Sequence, residues 1–265
     1  FTAGTTGLPK GVMLSYESFS SFALTNVIPL EPEEISKNIL TVPMYHIAGM
    51  QAVVTAVFGG RTVVIQRQFD AEGWMGLVQQ EKVDRAMMVP TMLKQLLDHP
   101  DRSKYDLSSL QVITYGAAPM PKEVIRRAIQ EMPDTRFINA FGQTESAATI
   151  TALQPEDHIL EGTPDEIERK LERLSSIGKP LPGVEIRIVD EDGNDVPTSI
   201  SGEIVARGPQ LMKGYWKQEA ETTQTIKNGW LFTGDLGYVD EEGYIFLSER
   251  AKDLIIRAGE NIASE

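Results

Sequence analysis

LQVITYGAAPMPKEVIRRAIQEMPDTRFINAFG, residues 110–142, is the stretch whose reading decides the fold. A short apolar run ends in a glycine-containing turn. A segment with helical spacing follows, and then a second apolar run ends in another glycine-containing turn. The apolar runs have the length of strands and the segment between them the length of a helix, so the stretch reads as strand, helix, strand.

The same grammar continues upstream. NILTVP (38–43), RTVVIQ (61–66) and RAMMVP (85–90) are further apolar runs, while AEGWMGLVQQEKV (71–83) and TMLKQLLDHP (91–100) have helical spacing. From Ser15 to about Gln154 this alternation predicts an α/β fold, a mostly parallel sheet covered by helices. Ligands on such sheets gather at the carboxyl ends of strands, where YGAAP (115–119) and AFGQTE (140–145) fall. GTPDEIERKLERLSS (162–176) reads as a solvated surface helix. Beyond it, VEIRIVDEDGNDVP (184–197), GEIVARG (202–208) and WLFTGDLGYVDEEGYIFLSE (230–249) are β-branched and aromatic runs broken by DGN and EEG, the pattern of antiparallel hairpins. The expected organisation is an α/β subdomain over 1–175, a smaller β-rich subdomain over 176–249, and a hinge segment over 250–265.

Composition narrows the function classes. The 265 residues carry 38 acidic against 25 basic side chains, a net charge of −13, which argues against nucleic acid or an anionic membrane surface as a partner reached by bulk electrostatics. With no cysteine, disulfides, thiolate metal sites and cysteine nucleophiles are excluded; three histidines leave little for an imidazole metal cluster. No apolar run approaches the ~20 residues of a membrane-spanning helix, and no signal peptide opens the chain, so a cytoplasmic location is expected. Phe1 at one end and RAGENIASE at the other suggest an internal piece of a longer protein.

FTAGTTGLPKG (1–11) crowds glycines and hydroxyls around one lysine. Backbone N–H groups next to glycine approach an oxyanion closely, threonine hydroxyls add donors, and Lys10 supplies a compact positive charge, so the loop suits phosphate. It is not a Walker loop: counting from Gly4, Pro9 stands where the second glycine belongs, and Gly11 follows the lysine in place of Ser or Thr. A merely flexible turn is the other reading of such a loop taken alone.

TAGTTGLPKG, YGAAP, NAFGQTES, GEIVARGPQLMKGYW, GWLFTGDLGYVDEEGYIFLSER and RAKDLIIRAGENI together resemble, in order and spacing, the adenylate-forming superfamily of acyl-CoA synthetases, luciferases and peptide-synthetase adenylation domains. The resemblance implies that ATP and a carboxylic acid give an acyl-adenylate and pyrophosphate, and that coenzyme A then captures the acyl group. It implies that Lys10 with Thr2, Thr5, Thr6 and Gly7 cradles the phosphates. Gly116 and Ala117 would line the adenine and acyl pocket, Phe141 and Gly142 would meet adenine, Thr144 would contact phosphate, and Glu145 would ligate magnesium. Asp235 would hold the ribose hydroxyls, Arg250 would reach ribose or phosphate, and Lys252 would mark the hinge. Phe141 replaces the commoner tyrosine, and Glu249 replaces the usual glycine before Arg250. His46, in PMYHIAGM, reads as a helix cap or core residue taken alone and as a border of the acyl pocket by resemblance. His99 and His158 read as surface residues.

By the same resemblance a catalytic lysine lies in a lid domain after the hinge, so this chain alone is expected to adenylate slowly or not at all. The expected substrate is a fatty or aryl acid, since no aspartate near Tyr45 and His46 is available to hold an amino acid's ammonium. Loading of a carrier protein's phosphopantetheine, or a non-catalytic nucleotide or acyl-adenylate binding protein, are the other functions considered.

Overall fold

A computed structural model describes residues 1–2, 9–250, 254–257 and 260–263, with the strands from Glu249 onward described by backbone alone. The chain forms two compact units, one built from Asn26–Ala140 and Leu153–Ser175, the other from Phe1–Thr25, Phe141–Ala152 and Ser176–Glu265. Its elements begin with β1 (Val12–Met13), α1 (Tyr16–Asn26), β2 (Lys37–Leu40), α2 (Ile47–Phe58), β3 (Thr62–Ile65), α3 (Ala71–Glu81), β4 (Arg85–Met88) and α4 (Pro90–Leu97). They continue through β5 (Val112–Gly116), α5 (Lys122–Glu131), β6 (Arg136–Gln143), β7 (Ala148–Leu153), α6 (Pro164–Arg173), β8 (Lys179–Pro180), β9 (Glu185–Val189) and β10 (Gly202–Arg207). The last are β11 (Gly214–Tyr215), α7 (Glu219–Thr225), β12 (Ile226–Lys227), β13 (Trp230–Val239), β14 (Ile245–Arg250), β15 (Leu254–Arg257) and β16 (Glu260–Ala263).

The first unit is the α/β layer that the alternation predicts. Its strands run in the order β3-β2-β4-β5-β6, every neighbouring pair parallel. Parallel neighbours need long crossovers, which the helices between consecutive strands supply. The helices bury one stripe each: Trp74, Met75 and Val78 on α3, Leu93, Leu96 and Leu97 on α4, Ile125 and Ala128 on α5. These three- and four-residue intervals are the one-face repeat of a helix packed on a sheet. Local chemistry sets the ends. Asp70 Oδ1 accepts from Gly73 N at 2.7 Å to start α3. Thr163 and Glu166 exchange side-chain-to-backbone bonds around Pro164 to start α6, a reciprocal box worth about 1 kcal/mol. None of the residues of α6 is buried, as its charge predicts.

His158 corrects the surface assignment: it is 4% exposed. Its Nδ1 lies 2.8 Å from Gln154 O, and a carbonyl only accepts, so Nδ1 carries the proton and Nε2 accepts from Tyr115 OH at 2.9 Å. The rings of Tyr115 and Phe137 stand 5.7 and 6.2 Å from the imidazole. Nothing in the flanking PEDHI run signals this, because the burying partners sit on β5 and β6, far away in sequence.

The second unit is rich in antiparallel strands. β12-β13-β10-β9 form a sheet in that order, with β14 added on β13. DGN and EEG make turns closed by Gly193 N donating to Asp190 O at 3.0 Å and Gly243 N to Asp240 O at 3.1 Å. Ile177, Ile188, Ile204 and Ile245 form a core cluster against which Phe141 packs. β1 pairs with β11, β7 with β8 and β15 with β16, all antiparallel.

Candidate active site

Lys10 is fixed by backbone on both sides. Thr2 N donates to Lys10 O at 3.0 Å and Lys10 N to Thr2 O at 2.9 Å, an antiparallel bridge that joins the two ends of the glycine-rich run. Thr5, Thr6 and Gly7 lie outside the described residues. After the lysine, Trp216 N donates to Gly11 O at 2.7 Å and Val12 pairs with Tyr215, so the segment is stapled to β11. The buried Lys10 side chain places Nζ 4.9 Å from the centre of the Tyr215 ring and in an ion pair with Glu221. A cation over an aromatic face contributes ~0.5–2 kcal/mol, depending on desolvation.

Glu145 sits on a tight one-turn 3-10 segment, Thr144–Ser146, between β6 and β7. Gly142 makes that turn possible, because a Cβ there would lie 1.5 Å from Ala148 O. After the turn Ala147 and Ala148 take φ of 49° and 94°, both in the region that side-chain-bearing residues avoid at a cost of roughly 1–2 kcal/mol each. The fully buried Ser146 compensates: its Oγ accepts from Gln143 N at 3.1 Å and lies 3.0 Å from both Gln143 O and Ala148 O. Met212 N donates to Glu145 O at 2.8 Å, tying the turn to the chain that enters β11.

The Glu145 side chain is thereby held in the interior, with the residue 4% exposed. Tyr215 OH donates to Oε1 at 2.8 Å, and Oε2 is buried with no hydrogen-bond partner. Burial pushes the carboxyl above its ordinary range, opposed by the tyrosine hydroxyl and the Lys10 charge. Burial next to the same carboxylate pushes the Tyr215 phenol up as well. A buried carboxylate oxygen aimed at nothing has the chemistry of a cation ligand. Among the described residues no cluster of three or more His, Cys, Asp or Glu could hold a metal unaided. The unpartnered Glu145 oxygen is a donor of the kind that magnesium takes, one or two carboxylates with water and substrate phosphate completing the shell.

Asp235 is buried on β13, where the pairing with β14 shifts between Asp235 and Gly237. Such an irregularity bends the strand locally and interrupts the regular ladder. Asp235 N donates to Thr233 Oγ1 at 3.1 Å, and Gln143 Nε2 donates to Thr233 O at 3.4 Å, so the Glu145 turn and the Asp235 strand are joined. Thr144, partly exposed, opens the turn. Arg250 is the backbone partner of Asp235 across β13 and β14; its side chain and all of Lys252 lie outside the described residues. Phe141 is half-buried, with part of its ring on the isoleucine cluster of the β-rich core.

Three candidates belong to the other unit. His46 caps α2, its Nδ1 accepting from Ala48 N at 3.2 Å. The residue is partly exposed. Gly116 ends β5 with its Cα so near β6 that a Cβ would lie 2.2 Å from Ala140 O, and Ala117 follows at φ 64°.

Sequence reasoning missed two residues of the Lys10 cluster. Tyr215 lies in the LMKGYW run, where an aromatic on a two-residue strand reads as core filling. Glu221 stands in QEAETT, one of three acidic or amide residues in a short polar stretch, with nothing local to single it out.

The chain matches the AMP-binding enzyme family over residues 1–216. It is 33% identical to the indoleacetate–CoA ligase of Aromatoleum aromaticum, over 99% of this chain and 49% of that protein. Among solved structures it is similar to the amide bond synthetase of Marinactinospora thermotolerans, with a TM-score of 0.88 and 33% identity over 100% of this chain and 51% of that one. It is also similar to the o-succinylbenzoate coenzyme A synthetase of Bacillus subtilis in complex with ATP and magnesium ion, with a TM-score of 0.81 and 33% identity over 98% and 51% of the two chains. The same synthetase has been solved with its acyl-adenylate intermediate. The chain spans about half the length of the curated relatives it matches.

Proposed function

The chain belongs to the AMP-binding enzyme family of adenylate-forming ligases, and on that premise we propose that its protein uses ATP to convert a carboxylic acid, fatty or aryl, into an acyl-adenylate. The acyl group then passes to the thiol of coenzyme A or of a carrier protein's phosphopantetheine. The observation that carries the reading is the cluster in which Tyr215 joins Lys10 to Glu145 and leaves Glu145 Oε2 buried and unpaired.

In the first half-reaction a carboxylate oxygen of the acid attacks the α-phosphorus of ATP. One P–O bond forms, the bond to the bridging oxygen breaks, and pyrophosphate leaves with the electron pair. An anion attacks a polyanion, so the barrier is electrostatic, and fixed positive charge placed beforehand lowers it. Lys10 supplies that charge to the departing phosphates, and the N–H groups and hydroxyls of Thr2, Thr5, Thr6, Gly7 and Thr144 add donors. Magnesium, held through Glu145 Oε2, would neutralise phosphate charge. Asp235 accepts from the ribose hydroxyls, and Arg250 and Lys252 keep the roles that the resemblance gives them. Phe141 and Gly142 offer adenine an aromatic face beside a small residue, while Gly116, Ala117 and His46 keep the roles that the resemblance gives them. In the second half-reaction the thiol sulfur attacks the acyl carbon, AMP departs, and the thiol proton goes to solvent.

Two of the three proteins named above differ by name in the bond they make, a CoA ligase for indoleacetate and an amide bond synthetase, so the test is placed on adenylation, the step before the acceptor enters. The test is carboxylate-dependent exchange of labelled pyrophosphate into ATP with short, medium and long fatty acids, aryl acids and amino acids. Exchange with fatty or aryl acids is expected. Exchange with amino acids alone would overturn the substrate class, and ADP as product would overturn the reaction.

A further inference from the structure

Lys10 already has an anion on it, and the anion comes from the chain itself. The carboxylate of Glu221, on α7, pairs with Lys10 Nζ across 211 positions of sequence. The placement is built. Thr222 Oγ1 accepts from Tyr215 N at 2.8 Å and donates to Gln218 O at 2.8 Å, so the start of α7 is clamped to β11. Gly214 packs so closely against the same threonine that a Cβ would lie 2.6 Å from Thr222 Cγ2. The residue just before Thr222 is Glu221, and the residue just after Gly214 is Tyr215, whose ring lies beneath the ammonium.

The two partners are unequally buried. The Lys10 side chain is 10% exposed and that of Glu221 is 37% exposed. An ammonium held in the interior needs a counter-charge, because leaving it unpaired forfeits its hydration with nothing in return. A carboxylate that is more than a third exposed swings into water at little cost. Such a pair is asymmetric: the lysine stays and the glutamate can leave.

We infer that Glu221 is an internal counter-ion which occupies the phosphate position on Lys10 and exchanges with the phosphates of the nucleotide. The inference rests on the proposed role of Lys10 as a phosphate ligand. When ATP arrives, its phosphate oxygens replace the Glu221 carboxylate. When pyrophosphate has formed, the carboxylate competes for the ammonium again and speeds product departure. Glu221 thus weakens binding of phosphate compounds at equilibrium, and the site is never left with a bare buried charge.

The experiment is titration calorimetry of inorganic pyrophosphate, with magnesium present, into the full chain and into its Glu221→Gln, Glu221→Ala and Lys10→Met variants and the Lys10→Met, Glu221→Gln double variant. Removing the competitor should tighten pyrophosphate binding roughly three- to tenfold in both Glu221 variants, the scale of a partly exposed ion pair. The gain should vanish when Lys10 is replaced. Thermal midpoints show that each variant is folded, and two Glu221 variants guard against a packing effect of either. Unchanged or weaker binding in both, with Lys10→Met still weakening it, overturns the inference and leaves Lys10 as a phosphate ligand. Tightening that persists without Lys10 also overturns it, as a bulk charge effect. Pyrophosphate binding indifferent to Lys10 in every variant overturns both the inference and the phosphate reading beneath it.

Discussion

Tyr215 OH donates to Glu145 Oε1 at 2.8 Å, and the other oxygen of that carboxylate is left buried without a partner. One hydroxyl thereby decides which oxygen faces inward to protein and which is free for a cation. Tyr215→Phe removes the bond while keeping the ring under Lys10. The carboxyl then loses a contact that holds its proton affinity down, and both oxygens compete for the cation. The magnesium concentration giving half-maximal pyrophosphate exchange should rise several-fold, and stability should fall by about 1.5–3 kcal/mol, the range for a hydrogen bond to a charged group. An unaltered magnesium requirement would remove Tyr215 from the site.

Glu145→Gln should separate stability from activity. Burial raises this carboxyl's proton affinity above the ordinary 4.5, so the folded state holds a proton that the unfolded state gives up. Stability from this group is present at pH below 4.5 and is lost as pH rises through the elevated value. A neutral glutamine escapes that loss. At pH 7 the variant should unfold about 2–4 °C higher, on the order of 1 kcal/mol, while pyrophosphate exchange disappears. A lower melting temperature at pH 7 would show that the carboxylate contributes net stability.

His158 gives the opposite slope. Burial holds its proton affinity below the ordinary histidine value of 6.5, so as pH falls past 6.5 the unfolded chain gains a proton that the folded chain refuses. Stability contributed by the neutral imidazole is complete above 6.5 and declines below it. Thermal unfolding followed from pH 7.5 to pH 5.5 should show the decline, and His158→Gln should flatten it while lowering stability throughout. Equal slopes for the two proteins would place the pH dependence elsewhere.

Gly142→Ala should be among the most damaging single changes. The added Cβ would meet Ala148 O at 1.5 Å, and that oxygen also lies 3.0 Å from Ser146 Oγ. Overpacking against backbone that cannot move costs upward of about 3 kcal/mol, a drop on the order of 10 °C. A melting temperature within 2 °C of the wild type, expressed as less than about 1 kcal/mol, would show that the turn has another conformation available.

What the sequence makes legible is what repeats locally or stands in a compact block. The strands Ile39–Leu40 and Val112–Tyr115 are readable because interior parallel strands are apolar on both faces. Lys10, Glu145 and Asp235 could be singled out as candidates because each stands in a compact block, TAGTTGLPKG, AFGQTES and TGDLG. The partners of those residues are not. Tyr215 reaches Glu145 across 70 positions and Glu221 reaches Lys10 across 211, and no periodicity encodes a contact of that span. β1 and β11 are two residues long, too short for alternation to show, yet they bring Lys10 and Tyr215 together. Phe141 has two faces to account for, and its packing on the isoleucine cluster is the one that only the fold reveals.

The unit that carries Lys10, Glu145 and Tyr215 is drawn from three separate pieces of chain, Phe1–Thr25, Phe141–Ala152 and Ser176–Glu265. Synthesis proceeds from the N-terminus, so β1 emerges long before β11 exists to pair with it, and its backbone edge waits as an unpaired template. Closing so long a loop is slow, and contacts of high sequence separation form late. The Lys10 cluster needs both ends of this chain before it can form. A chain that ends before Tyr215 lacks both the strand that pairs with Val12 and Met13 and the ring that lies beneath Lys10 Nζ, so no shorter N-terminal piece can form the cluster.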